Sequence, residues 1–163
     1  MMSFIRVISL FLFVFPAIVS FSASAESSKE YYVSIRADEA NVRTGPSARY
    51  PIKWVFKRQN WPVKVLATFE QWRKIQDRDG QIGWMHEVLL TRKRHAIIQN
   101  GDIVKAYRLP IPTAAPTVML EKDVVAKLIQ CKSGWCKIEA SAHEAWLEDG
   151  FLWGVEKNET YNN

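Results

Sequence analysis

One segment of this chain occurs twice. "VKVLATFEQWRKI" runs from Val63 to Ile75 and "AKLIQCKSGWCKI" from Ala126 to Ile138, equal in length. Lys64 matches Lys127, Trp72 matches Trp135, and Lys74-Ile75 matches Lys137-Ile138. Upstream, "WVFKRQNW" aligns with "TVMLEKDV", an apolar strand end followed by a polar turn. Downstream, "IGWM" aligns with "EAWL", and further upstream "NVRT" (Asn41 to Thr44) aligns loosely with "IVKA" (Ile103 to Ala106). Self-similarity at a fixed spacing is the signature of a duplicated structural unit. Each unit is about 60 residues, too short for a large core, so the fold must be a small motif used twice.

The repeated segments read as strands. "WPVKVLATF" and "RKIQD" are short, rich in Val, Ile and aromatics, and partly alternate with charge. Asp79-Gly80 and Ser133-Gly134 are hairpin turn signals. No long helical periodicity occurs after the first 25 residues. Several short strands per unit, with frequent turns, predict an all-β fold of two tandem small barrels, since closure removes most exposed sheet edges.

The N-terminus predicts the compartment. A short start carrying Arg6 leads into the apolar run Val7 to Val19, then into Ser-Ala-Ser-Ala with Ala23 and Ala25 before Glu26. This is the pattern of a cleaved signal peptide over residues 1–25. The apolar run is shorter than the roughly 20 residues a spanning helix needs, and no later segment is long and apolar enough either. A periplasmic or secreted protein with no membrane span in its mature chain is expected. The charge is uneven. Tyr32 to His95 holds 13 Lys/Arg against 6 Asp/Glu, whereas Ala96 to Asn163 holds 7 against 9. Outside the cytoplasm a basic half points to anionic wall or envelope polymers rather than nucleic acid.

"NVRTGPSARYP" resembles the opening signature of bacterial SH3-like domains, an Asn-Val-Arg strand running into a Gly-Pro-Ser turn, an aromatic and a proline. The later "W-x-K-I" and "G-W-M" resemble that family's two tryptophan strands, and "YPIKWVFKRQNWPVKVLATFEQWRKIQD" is similar to a branch found as tandem modules in secreted alphaproteobacterial proteins. "FLWGV" (Phe151 to Val155) resembles the end of the second module. The resemblance implies SH3-like domains over residues 32–91 and 97–156, with 92–96 as a linker and 157–163 as a tail. It also implies a general role in binding, since relatives bind peptidoglycan peptides or cross-bridges or position an attached hydrolase. The second module departs from the pattern. "YRLPIPTAAP" replaces the Gly-Pro-Ser loop, so a ligand site built on that loop is expected in the first module alone.

Few residues offer reaction chemistry. The two cysteines, Cys131 and Cys136, flank Ser133-Gly134. With three scattered histidines they do not give the paired spacing of a zinc site, and they are too far apart for a thioredoxin-like pair. If Ser133-Gly134 is a two-residue turn, Lys132 pairs with Trp135 and Cys131 faces Cys136 closely enough for a disulfide in an oxidising compartment. His86-Glu87 and His143-Glu144 do not form a His-Glu-x-x-His motif, and no Gly-x-Ser-x-Gly elbow or phosphate-cradling loop occurs. No metal, cofactor or catalytic residue is expected.

The expected ligand surface is in the first module: Arg43, Arg49, Tyr50, Trp54, Arg58 and Trp72, with Lys53 and Lys57 nearby. Aromatic rings with Arg and Lys can stack on a peptide and pair its carboxylates. "RKRH" (Arg92 to His95) reads as a solvated linker. Strand alternation puts Ile75 and Ile138 in the cores and Trp72 and Trp135 on the outer face, to cover a turn or meet a partner. A periplasmic protein–protein adaptor is the competing reading, with an apolar partner surface in place of a wall ligand.

Overall fold

A computed structural model describes residues 29–163. The predicted signal segment, residues 1–25, lies outside the described residues. The chain is all-β and forms two antiparallel sheets of the same design. The first contains β1 (Tyr31–Ile35), β2 (Ala40–Arg43), β3 (Ile52–Phe56), β4 (Pro62–Phe69), β5 (Trp72–Gln76), β6 (Ile82–His86) and β7 (Leu90–Thr91), in the order β3-β2-β6-β5-β4-β1-β7. The second contains β8 (His95–Ile98), β9 (Ile103–Tyr107), β10 (Pro116–Glu121), β11 (Val125–Lys132), β12 (Trp135–Ala140), β13 (His143–Glu148) and β14 (Leu152–Trp153), in the order β10-β9-β13-β12-β11-β8-β14. The permutation is the same. Each sheet bends around its own apolar cluster, making two small barrels.

The duplication holds in register. Val65 pairs with Ile75 and Leu128 with Ile138, and in both hairpins the register then slips by one residue. Thr68 faces Arg73 where Cys131 faces Cys136. Ile75 and Ile138 are buried, as the period-two pattern requires. The loose match of Asn41–Thr44 to Ile103–Ala106 needs correcting. Arg43 pairs with Trp84 and Tyr107 with Trp146, so Arg43 corresponds to Tyr107 and Val42 to Ala106. Because the following loops differ in length, matching by residue type alone slid the strand by two places.

Turn chemistry is visible at both predicted hairpins. Ser133 and Gly134 have φ of 50° and 78°, the left-handed pair that a two-residue turn joining twisted strands demands. The pairing Lys132 to Trp135 follows, and Cys131 and Cys136 form a disulfide with a Cα–Cα distance of 4.1 Å, the short spacing of a non-hydrogen-bonded pair. In the first module the β5–β6 turn is organised by buried Asp77, whose carboxylate accepts from the amides of Asp79 and Gln81 at 3.0 and 2.8 Å.

The two barrels share a packed seam. In β1, Val33 and Ile35 face the first core, yet Ser34 on the opposite face is fully buried and Tyr32 nearly so. In β8, Ala96 and Ile98 face the second core, yet Ile97 on the opposite face is fully buried. Both strands are covered on both sides because their outer faces lie against the neighbouring module. His95 N–H donates to Ser34 Oγ at 3.0 Å, and the His95 ring Nδ1 lies 3.2 Å from the same oxygen. Tyr32 meets Trp153 edge-on at 5.4 Å. Gly154, at φ 113°, lies so close to Pro62 and the β8 backbone that an added Cβ would stand 2.7 Å from the His95 carbonyl oxygen. Lys64 reaches Glu156 at 3.3 Å, and Arg78 pairs with Asp123.

The segment expected to be a solvated linker is so only in its first half, where Arg92 and Lys93 are exposed. His95 opens β8, and Arg94 is buried. The Arg94 guanidinium holds the Glu159 carboxylate through both terminal nitrogens, at 2.6 and 3.0 Å, and also donates to the Gly154 carbonyl at 2.6 Å. It lies between the Tyr32 and Tyr161 rings, 5.7 and 5.2 Å away. The expected tail also folds back, and Tyr161–Asn162 forms a short strand, β15, on β11. Burial is the largest single influence on Glu159 and opposes its charge, but the Arg94 hydrogen bond, the Glu156 amide and the nearby positive charges of Arg94 and Lys29 together hold the carboxyl below its ordinary value.

Three outcomes follow from this packing. Alkylation under denaturing, non-reducing conditions leaves the intact mass unchanged, and C131A/C136A costs about 2 kcal/mol in chemical unfolding because the closed loop is small. Unfolding is a single transition for both modules, and Ile97→Asp splits it in two by placing a charge in the seam. Burial, with Lys127 adding repulsion, holds the His95 imidazole below its ordinary 6.5. On acidification the unfolded chain thus takes this proton first. The contribution is present above pH 6.5 and lost as pH falls toward the lower folded value, so stability drops on acidification below about pH 6.5 and His95→Gln flattens that slope.

Candidate functional site

Alternation assigns the outer face of the first sheet. On β5, Ile75 faces the core, so Trp72 and Lys74 face out. Lys74 pairs with Trp84 on β6, and Trp84 pairs with Arg43 on β2. Residues opposite one another in register share a face, so Arg43, Trp84 and Lys74 form a row across three strands. Trp72 sits beside that row, its ring edge-on to His86 at 5.3 Å. Arg43 Nη1 donates to the Tyr50 carbonyl at 2.8 Å, which ties the loop tip to the row. The Tyr50 ring is half-exposed and lies flat against Gly45, where a Cβ would stand 2.7 Å from it.

The structure thus brings Arg43 and Trp72 to one face, centred on Trp84, with the Tyr50 carbonyl tied to its edge. Arg49 lies in the same loop, exposed, with its backbone amide on Ser47 Oγ at 3.2 Å. Trp54 does not join them. It pairs with Val42, a core residue, and turns inward against the core, edge-on to Phe56 at 6.1 Å and covering Gly83. Arg58 is elsewhere too, over the Trp61 ring at 5.1 Å. Arg78 reaches that ring at 5.8 Å, next to its pairing with Asp123 at the seam. Lys53 is spent on the Ile82 carbonyl at 2.8 Å. Trp84, Lys74 and His86 were missing from the sequence-derived set. Their signal was present: "IGWMH" alternates, with Gly83 and Met85 inward and Trp84 outward.

The second module shows what this face looks like when closed. Tyr107 stands for Arg43, Trp146 for Trp84, Lys137 for Lys74 and Trp135 for Trp72. Trp146 is buried, Lys132 lies over its ring at 5.3 Å, and Tyr107 meets Trp135 edge-on at 5.8 Å. Lys137 is neutralised by Glu144. In the first module Ile82 occupies the place of Glu144, and among the described residues Lys74 and Arg43 have no carboxylate partner. The first face keeps two uncompensated cations around an aromatic centre.

The histidine–glutamate pairs have local duties. His86 Nδ1 accepts from the Val88 amide at 3.2 Å, Glu87 pairs with Arg73, and His143 Nδ1 lies 2.9 Å from the Ser141 carbonyl oxygen. Among the described residues no three His, Cys, Asp or Glu side chains cluster as a metal site, and no helix is long and apolar enough to cross a membrane.

Three solved structures are similar to this chain. NlpC1 from Trichomonas vaginalis matches at 12% identity with a TM-score of 0.35, covering 84% of this chain and 51% of that one. NlpC2 from the same organism matches at 8% with a TM-score of 0.36, covering 77% and 48%. An NlpC/P60 family protein from Bacillus cereus matches at 13% with a TM-score of 0.34, covering 75% and 55%. The chain spans about half the length of these proteins. No curated protein matches its sequence. The family model for the bacterial SH3 domain matches twice, over residues 36–91 and 100–154, each span beginning just after a seam strand. With the repeated strand order and register, these matches show that the chain belongs to the bacterial SH3 domain family, as two domains in tandem.

Proposed function

We propose that this protein is a non-enzymatic binding protein of the bacterial envelope that recognises peptidoglycan peptides through its first SH3 domain. The reading rests on one observation above the others. The outer face around Trp84 carries Arg43 and Lys74 without carboxylate partners, while the equivalent face of the second domain is covered and neutralised. A flat aromatic centre gives a peptide backbone a surface to lie on, and the flanking cations suit its carboxylates. Tandem bacterial SH3 domains and a disulfide are in keeping with a periplasmic or secreted protein.

A second reading, a periplasmic adaptor for another protein, draws support from the second domain. There Ile103, Leu109 and Met119 are each more than half exposed, at 64%, 52% and 58%. Exposed apolar patches mark interaction surfaces.

Co-sedimentation with purified sacculi separates the two. The wall reading expects saturable recovery of the wild-type protein that weakens with salt, and a loss of about tenfold in affinity for Trp72→Ala with Lys74→Glu. Undiminished recovery of that variant, together with a discrete protein adduct on crosslinking in intact cells, would replace the wall reading with the adaptor.

A further inference from the structure

The first barrel also has an open mouth, on the side of the sheet opposite the Trp84 face. Residues on β5 alternate, so Arg73 points away from Trp72 and Lys74 and toward the interior end of the barrel. There a pocket of about 200 Å³ is lined by Tyr31, Val33, Arg73, Glu87, Leu90 and Arg92, among others. Its floor is apolar, since Val33 is buried in the first core and Leu90 packs against it. Arg73 Nη1 donates to the carbonyls of Glu70 and Trp72 at 2.8 and 3.1 Å, and Nη2 pairs with Glu87. Glu87 is thereby neutralised. Arg92 is exposed and has no hydrogen-bond or ion-pair partner among the described residues. The pocket carries a net positive charge over an apolar floor.

The second barrel shows how the same mouth looks when filled. By register, Cys136 stands for Arg73, Arg94 for Tyr31 and Gly154 for Arg92. The disulfide joins the core, Arg94 is locked on Glu159 and the Gly154 carbonyl, and Tyr161 of the returning tail packs over the cluster. Each donor that the first mouth offers is replaced or occupied in the second.

From this contrast we infer that the open mouth of the first barrel binds the carboxyl terminus of a short peptide whose last residue bears a small apolar side chain. Arg92 supplies a planar fork that matches a carboxylate, and charge is strongest where no internal acid competes for it. Val33 and Leu90 take the side chain. The volume admits a terminal residue or two and excludes a folded partner. The site does not depend on the outer face, and it holds whether or not that face binds the wall.

The test is an NMR titration of the purified protein with N-acetyl-dialanine, as both enantiomers, against the same peptide capped as its C-terminal amide. The free acid of at least one enantiomer gives saturable shifts at the amides of Val33, Leu90, Thr91 and Arg92. The amide and the Arg92→Gln variant bind about tenfold more weakly or worse, a difference of one decade in Kd. Trp72→Ala leaves the titration unchanged, which separates this site from the outer face. Equal affinity for acid and amide, shifts centred on Trp84 and Trp72, unchanged binding in Arg92→Gln, or no saturable shift up to about 10 mM each overturns the proposal.

Discussion

The arrangement of this molecule depends on two strands that are buried on both sides. An SH3-sized barrel encloses few apolar residues, and a unit of about 60 residues is marginal alone. β1 and β8 each give one face to their own core and the other to the neighbouring module. The seam so formed contains Ser34, His95, Ile97, Tyr32 and Trp153, a mixture of apolar contact and paired polar groups. Arg94 shows the cost of that choice. A buried guanidinium needs partners, and it takes them from the extreme C-terminus, Glu159 and Tyr161. The returning tail is thus part of the seam's chemistry.

The duplicated hairpin has been fastened in two chemical ways. In the second copy the facing pair is a disulfide inside the core, at Cys131 and Cys136. In the first the same pair is Thr68 and Arg73, and Arg73 holds its own turn through the carbonyls of Glu70 and Trp72. The backbone bond from Gly134 O to Asp149 N recurs as Gln71 O to Glu87 N, 2.9 and 2.8 Å. The hairpin geometry is common to both, so the cysteines add covalent closure to a turn already made.

Local chemistry was legible in the sequence, and long-range cover was not. Ser133-Gly134 announced its turn and its strand pairing, and from these the disulfide. Alternation assigned Ile75 inward and Trp72 outward because a strand's faces are set by a period of two. The same rule could have found Trp84, since Gly83 and Met85 flank it inward. Trp54 was misplaced because an aromatic beside a loop looks the same whether it turns to solvent or to a core. Arg94 and the tail were misread for a different reason. Charge in a linker is usually solvated, and only the closure of the second barrel, with its tail returning onto β11, brings Glu159 to Arg94 across 65 residues of sequence. Sequence periodicity reports which way a side chain points from its own strand. It carries no record of what arrives later to cover it.

That limit also explains how two copies of one design can differ in the surfaces they present. An outer face can be left open, covered by its own side chains, or covered by a neighbour. The second domain covers its aromatic row with Tyr107 and Lys132 and neutralises Lys137 with Glu144. Its barrel mouth is closed by the disulfide and the tail. The first domain does neither. Its row keeps Arg43 and Lys74 uncompensated, and its mouth keeps Arg92. A face covered and neutralised by its own side chains offers little to a partner, while an open cationic aromatic face is suited to recognition. The division of charge along the chain, basic first and mildly acidic second, is the sequence-level trace of that separation. One domain closes its own face and mouth, through its side chains, its disulfide and its tail, and the other is left free to present its cations.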